Sequence, residues 1–122
     1  MWPKPMRPWA MASVDELWLV DFGTPYPGEP ASFRQALVLG PPQTFGVGFP
    51  FVIVAPLTTT PRGLSLHVEV DPTPDNGLAD TSYVQCELLR SINRQRLVRH
   101  IGAVGAETSH QVAMVVSSLL NF

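Results

Sequence analysis

The sequence predicts a small, mostly β domain, either a barrel or a sandwich, that ends in one helix. Short apolar runs rich in β-branched residues alternate with segments rich in proline and glycine, and only one run near the C-terminus has helical spacing. A length of 122 residues suits one domain. Because residues 1–13 contain three prolines, we expect a flexible N-terminal arm there and a single domain over residues 14–122.

The first three strands are predicted from apolar runs in the N-terminal half. Residues 16–22 (ELWLVDF) alternate poorly, which indicates a strand buried on most of both faces. Residues 33–39 (FRQALVL) form the second strand. Residues 51–59 (FVIVAPLTT) form the third and have the highest β-branched content, and Pro56 within them predicts a bulge or an edge position.

Two long loops separate these strands. Residues 23–32 and 40–50 are rich in proline and glycine, which break regular structure. Both are too long for tight hairpins, and loops of this length in compact domains are often functional.

The C-terminal half predicts shorter elements. Residues 64–70 alternate cleanly and predict a strand with His67 on its polar face. Residues 81–92 predict one longer, bent strand, residues 93–97 a short helical turn and residues 98–104 a last strand.

Residues 107–120 predict the helix, with Thr108 or Ser109 as its cap. Its apolar positions fall on one face. They are Val112, Val115, Val116, Leu119 and Leu120.

Composition excludes several classes of protein. The net charge of −2 disfavours a protein that simply coats nucleic acid. The only cysteine, Cys86, allows neither an internal disulfide nor a cysteine zinc cage, and a buried thiol is a better interpretation of it than a nucleophile. The three histidines lack ligand spacing, so no metal or cofactor is expected. No apolar run is long enough to span a bilayer, and we expect a cytoplasmic protein.

Arg34 lies where a proline- and glycine-rich loop enters a strand, five residues after Glu29. Thr58 and its two threonine neighbours end another strand, and strand ends beside long loops are natural places for a site. On composition alone, however, these residues are ordinary surface residues.

An ordered series of segments changes that interpretation. The segments are VDELWLVDF, GEPASFRQALVLG, VIVAPLTT, LHVEV and SYVQCELLRSINRQRLVRHIG. In this order they resemble the MazF/PemK family of toxin ribonucleases from toxin–antitoxin modules, over about residues 14–122. Arg34 matches the arginine of the family's R-P-x-L-V segment, Thr58 the threonine that ends the third strand, and Glu29 the acid of the loop. Gln35 departs from the pattern, which has proline there.

The resemblance implies an SH3-like barrel with a C-terminal helix, a homodimer and a MazE-like antitoxin as partner. It also implies cleavage of single-stranded RNA without a metal. The substrate's 2′-hydroxyl would attack the adjacent phosphorus and leave a 2′,3′-cyclic phosphate and a 5′-hydroxyl. We expect the two long loops to set the RNA sequence that is cleaved.

On this interpretation Arg34 stabilises charge that builds on the phosphoryl oxygens, and the Thr58 hydroxyl adds a donor. An arginine pKa above about 12 makes a general-acid role less secure. The general base remains open between Glu29, His67 and neither.

Further residues are candidates for binding RNA or the antitoxin: Thr59, Arg62, Glu87 and Arg90. Four arginines, Arg90, Arg94, Arg96 and Arg99, form a basic cluster that binds phosphates or an acidic antitoxin tail, or is merely a solvated face. Two alternatives to a nuclease also stay open. One is a CcdB-like toxin that binds DNA gyrase, and the other is an SH3-like domain without catalysis.

Overall fold

The computed structural model describes residues 8–24, 26–29, 32–45 and 49–122. Within that part of the chain there are seven strands and one α-helix. The strands are β1 (Glu16–Asp21), β2 (Phe33–Gly40), β3 (Phe51–Thr58), β4 (His67–Val70), β5 (Ser82–Gln85), β6 (Arg90–Asn93) and β7 (Leu97–Ala103), and the helix is α1 (Ala106–Leu119). Single 3-10 turns lie at Pro8–Met11, Gln43–Phe45, Cys86–Leu88 and Arg94–Arg96.

The strands form one antiparallel sheet in the order β4-β5-β3-β2-β1-β7, with β6 paired to the first half of β3. The described residues contain no ladder between the end strands β4 and β7, so the sheet is not a closed barrel. The mostly β class with a C-terminal helix is confirmed. No helix among the described residues is long and apolar enough to cross a membrane.

The central strands bury both of their faces, because successive side chains point to opposite sides. Leu17 and Leu37 pack with Val112 of α1 in one core, whereas Trp18 and Val20 pack in a second core on the other side. The expectation that residues 16–22 are buried on both faces is therefore confirmed.

Pro56 lies in an interior strand and forms no bulge, but neither neighbouring ladder on its second side reaches it, so it occupies a local edge position. Its strand neighbour on β2 is Ala36, and no irregularity interrupts the register there. On its other side β3 changes partner, from β6 at Phe51–Val54 to β5 at Leu57–Thr58. Proline is tolerated here because it falls in the gap between two ladders.

Two predicted strands have different bounds in the structure. The single bent strand over residues 81–92 is two strands, β5 and β6, separated by the 3-10 turn Cys86–Leu88. The break follows from the partner change in β3, since each short strand pairs with a different half of it. The strand predicted over 64–70 begins only at His67, and Leu64 is exposed.

The helix begins earlier than predicted. Gly105 is its N-cap residue and makes no side-chain cap, so Thr108 and Ser109 lie inside the helix and do not cap it. The predicted apolar face is correct in its first half, because Val112 is buried and Val115 packs beside it, whereas the end of the helix is exposed.

The segment predicted as a flexible arm is partly ordered. Residues 8–11 form a 3-10 turn, Ala12 is buried and Trp9 packs against the second core. Ala12 and Trp9 thus supply apolar surface to that core. Residues 1–7 lie outside the described residues.

Candidate active site

An open cleft of about 480 Å³ lies where β2 begins and β3 ends. The described residues that line it are mainly polar and include two arginines and no carboxylate. The lining residues are Leu19, Phe33, Arg34, Gln35, Leu57, Thr58, Thr59, Thr60, Arg62 and Ser82. Four candidates chosen from the sequence, namely Arg34, Thr58, Thr59 and Arg62, are thus brought together here.

The antiparallel register explains why Arg34 and Thr58 meet. Ala36 lies opposite Pro56 in the ladder between β2 and β3. Continuing this register by two residues places Arg34 opposite Thr58, and side chains at opposite positions lie on the same face of a sheet. Residues 24 positions apart therefore meet at one strand end.

The guanidinium of Arg34 is fixed by two neutral oxygens. Its Nε donates to the Leu57 carbonyl oxygen at 3.1 Å, and its Nη2 donates both to that oxygen and to Gln85 Oε1, the latter at 3.2 Å. Sequence reasoning missed Gln85, because a glutamine 51 residues away carries no local signal of this contact.

The electrostatics of the cleft favour an anion. Partial burial lowers the pKa of Arg34, and the positive charge of Arg62 lowers it further. Arginine nevertheless stays protonated in proteins. Arg34 is therefore a cation that faces a second cation and that no lining carboxylate neutralises.

Thr58 has a hydroxyl that remains able to donate. The residue is 9% exposed, and its Oγ1 accepts a hydrogen bond from the backbone N–H of Thr60 at 3.2 Å. Because a hydroxyl carries one hydrogen as well as lone pairs, this contact leaves the hydrogen free to point into the cleft. Thr59 and Thr60 are exposed at the rim.

Glu29 lies apart from the cleft lining. Its Oε1 accepts from the backbone N–H of Tyr26 at 2.8 Å, and its Oε2 is 3.9 Å from Arg90 Nη1. The Arg90 guanidinium also lies 5.5 Å from the centroid of the Phe22 ring. The structure therefore pairs these two candidates with each other and does not place either against Arg34.

His67 and Glu87 form a second pair outside the cleft. His67 Nε2 and Glu87 Oε2 are 2.8 Å apart, and the His67 side chain is 3% exposed. His67 alternates with Val68 as predicted, and it lines a separate hollow with Met114 of α1. It is not among the residues that line the cleft.

The four arginines of the predicted basic cluster do not form one exposed basic surface. Arg94 is 7% exposed and donates to the carbonyl oxygens of Phe49 and Ala12, at 2.6 and 2.8 Å. Arg96 donates to the Asp21 carbonyl oxygen at 3.2 Å, whereas Arg99 is exposed. At least Arg94 therefore has a structural role.

Cys86 is fully buried, and burial together with the charge of Glu87 raises its pKa to about 11. A thiol with that pKa is protonated at neutral pH and is a poor nucleophile. No group of three or more His, Cys, Asp or Glu side chains that could hold a metal ion occurs within the described ranges.

The sequence model of the PemK-like, MazF-like toxins of type II toxin–antitoxin systems matches residues 14–120. The chain belongs to this family.

The two long loops are the segments that we expect to determine which RNA sequence is cleaved. Parts of them, residues 25, 30–31 and 46–48, lie outside the described residues.

Solved structures agree with this assignment. The Mycobacterium tuberculosis toxin MazF-mt6 is 27% identical and matches with a TM-score of 0.70 over 88% of this chain and 97% of its own. An Mtb toxin is 34% identical, with a TM-score of 0.61 over 70% and 90% of the two chains. An endoribonuclease in complex with its cognate antitoxin, from a mycobacterial species, is 19% identical and matches with a TM-score of 0.74 over 91% and 96%. At that identity the last match supports the fold alone.

Proposed function

We propose that this PemK/MazF-family toxin is a metal-independent endoribonuclease that cleaves single-stranded RNA at short sequences. One observation carries the proposal. The guanidinium of Arg34 is held by hydrogen bonds in an open cleft beside Thr58 and Arg62, and none of the described residues that line the cleft carries a carboxylate. Such a site binds a phosphodiester and stabilises additional negative charge on it.

The chemistry requires little from the protein beyond position and charge. The RNA 2′-oxygen attacks the adjacent phosphorus, the bond from phosphorus to the 5′-oxygen breaks, and a 2′,3′-cyclic phosphate and a 5′-hydroxyl result. The 2′-hydroxyl proton is lost to water, and the leaving 5′-oxygen takes up a proton from water. Negative charge builds on the phosphoryl oxygens, where Arg34 and the Thr58 hydroxyl donate hydrogen bonds.

The geometry favours the alternative in which neither Glu29 nor His67 is the base. Neither residue lines the cleft, and each is engaged elsewhere, Glu29 with Tyr26 and His67 with Glu87. A general base must lie within hydrogen-bond reach of the proton that it removes, directly or through one water molecule.

The proposal includes partners. A mycobacterial endoribonuclease with this fold forms a complex with its cognate antitoxin. We accordingly propose a cognate MazE-like antitoxin for this toxin, a homodimer and action in the cytoplasm. A positively charged cleft would be blocked by an acidic antitoxin segment that competes with RNA phosphates.

The test is cleavage of several single-stranded RNAs of varied sequence by purified protein in excess chelator. We expect cleavage with 5′-hydroxyl and cyclic phosphate ends. Arg34→Ala should reduce the rate by about two orders of magnitude or more. His110→Ala is the control, because His110 is exposed on α1 and lies outside the cleft.

Two outcomes would contradict the proposal. If all RNA substrates stay intact, the protein is not the proposed endoribonuclease. If Arg34→Ala cleaves RNA normally, the proposed role of Arg34 in the mechanism is wrong. Growth arrest without RNA cleavage, together with capture of DNA gyrase, would favour the CcdB-like alternative.

A further inference from the structure

We propose that Gln85 is a positioning residue that holds the Arg34 guanidinium through a neutral oxygen and so leaves its positive charge for a phosphate. This inference rests on the proposed function of the cleft. Gln85 affects the cleft only through its hydrogen bond with Arg34. Gln85 itself does not line the cleft.

The geometry makes Gln85 a fixed support. It ends β5 and is 6% exposed, so its side chain has little freedom. β5 pairs with the end of β3, where Leu57 lies opposite Val84. The two oxygens that hold Arg34, from Leu57 and Gln85, therefore come from adjacent strands and approach the guanidinium together.

The hydrogen bonds leave part of the guanidinium free. The Leu57 oxygen accepts from Nε and Nη2, and Gln85 Oε1 accepts from Nη2. No acceptor for Arg34 Nη1 occurs in the described part of the chain. Both hydrogens of that nitrogen are thus available to a phosphate oxygen in the cleft.

The neutrality of the two acceptors is the important property. Arginine most often pairs with a carboxylate in a bidentate arrangement, which fixes it strongly and also cancels its charge. A carbonyl and an amide oxygen fix the same group without a negative charge. A phosphate therefore meets a preorganised cation and does not have to displace an internal anion.

The decisive variant is Gln85→Glu, which keeps the shape of the side chain and adds a negative charge beside Arg34. Gln85→Leu removes the acceptor but keeps an apolar side chain of similar size. Gln111→Glu is the control for net charge, because Gln111 is exposed on α1 and lies outside the cleft.

Cleavage and stability should move in opposite directions in Gln85→Glu. We expect an unchanged or higher melting temperature, because the new carboxylate pairs with Arg34, and a kcat lower by about tenfold. A merely structural role for Gln85 predicts instead that cleavage follows stability in every variant. Wild-type kcat in a stable Gln85→Glu protein would overturn the proposal.

Binding gives a readout that does not require cleavage. The probe is random-sequence RNA methylated at every 2′-oxygen, which cannot make the attack. If Gln85→Glu removes one cation from phosphate binding, the slope of log affinity against log salt concentration should become shallower by about 0.7. Gln111→Glu should leave the slope at its wild-type value, and an equal slope in Gln85→Glu would contradict the inference.

A third measurement needs no RNA at all. In nitrogen-15 NMR spectra, the Arg34 side-chain N–H signals should show restricted rotation in the wild type and freer rotation in Gln85→Leu. Identical signals would show that Gln85 does not position the arginine. If wild-type protein leaves all RNA intact, the proposed function fails, whereas the NMR comparison still decides the role of Gln85.

Discussion

Arg34 and Arg94 are held in similar ways but face different surroundings. Both donate to main-chain carbonyl oxygens far away in the sequence, Arg34 to Leu57 and Arg94 to Phe49 and Ala12. Arg94 is nearly buried, and its hydrogen bonds tie β6 and its following turn to the N-terminal segment. Arg34 is only partly buried and keeps one side of its guanidinium toward an open cleft.

The comparison shows how the same contact serves two purposes. A guanidinium fixed by carbonyl oxygens retains its charge. Whether that charge can bind a ligand depends on the surroundings of the free side of the group. In Arg94 the protein surrounds the group, so the hydrogen bonds contribute to stability. In Arg34 the remaining donors face a space that a phosphate can enter.

The largest expected effect is the loss of activity in Arg34→Lys. Lysine keeps the charge but lacks the planar set of donors, so it cannot hold the Leu57 oxygen and a phosphate together. We expect kcat to fall about a hundredfold while the melting temperature changes little. Steady-state RNA cleavage and thermal unfolding check this, and a variant that cleaves normally would show that charge alone suffices.

Arg94→Lys should have the opposite profile. One ammonium cannot satisfy both the Phe49 and Ala12 oxygens, and a buried acceptor without a partner costs about 1–3 kcal/mol. We expect the free energy of unfolding in urea to fall by about 2 kcal/mol, with the cleavage rate per folded molecule preserved. A stable but inactive Arg94→Lys protein would contradict the assignment of a structural role to Arg94 and a catalytic role to Arg34.

Arg62→Gln should weaken substrate binding modestly. Arg62 is exposed, so water screens its attraction for phosphate. We expect KM to rise about threefold to fivefold with kcat nearly unchanged. The difference from wild type should shrink as salt is added, and a salt-independent difference would indicate a role other than charge.

Glu29→Gln should have the smallest effect, a change in kcat of less than about twofold, because its exposed contact with Arg90 contributes little. The measurement is the pH–rate profile of cleavage. Loss of an acidic limb in this variant would instead identify Glu29 as the general base.

Much of the fold could be predicted from the sequence because strands and helices leave periodic apolar patterns. The both-sided burial of β1 and the buried face of α1 are visible in local residue order. The break between β5 and β6 is not visible in local residue order, because it follows from the change of strand partner of β3 around Pro56. The pairing of a strand depends on segments that are distant in the sequence, so it cannot be predicted from a short stretch of residues.

The class of fold and the choice of Arg34 and Thr58 as candidates follow from local patterns and ordered motifs. Which candidates share a surface depends on how the strands pair in three dimensions. The tertiary structure placed Arg62 beside Arg34, brought Gln85 to the guanidinium, paired His67 with Glu87 away from the cleft and buried Arg94. The physical reason is that charge and donor chemistry belong to a residue type, whereas burial and hydrogen-bond partners depend on segments up to 82 residues apart.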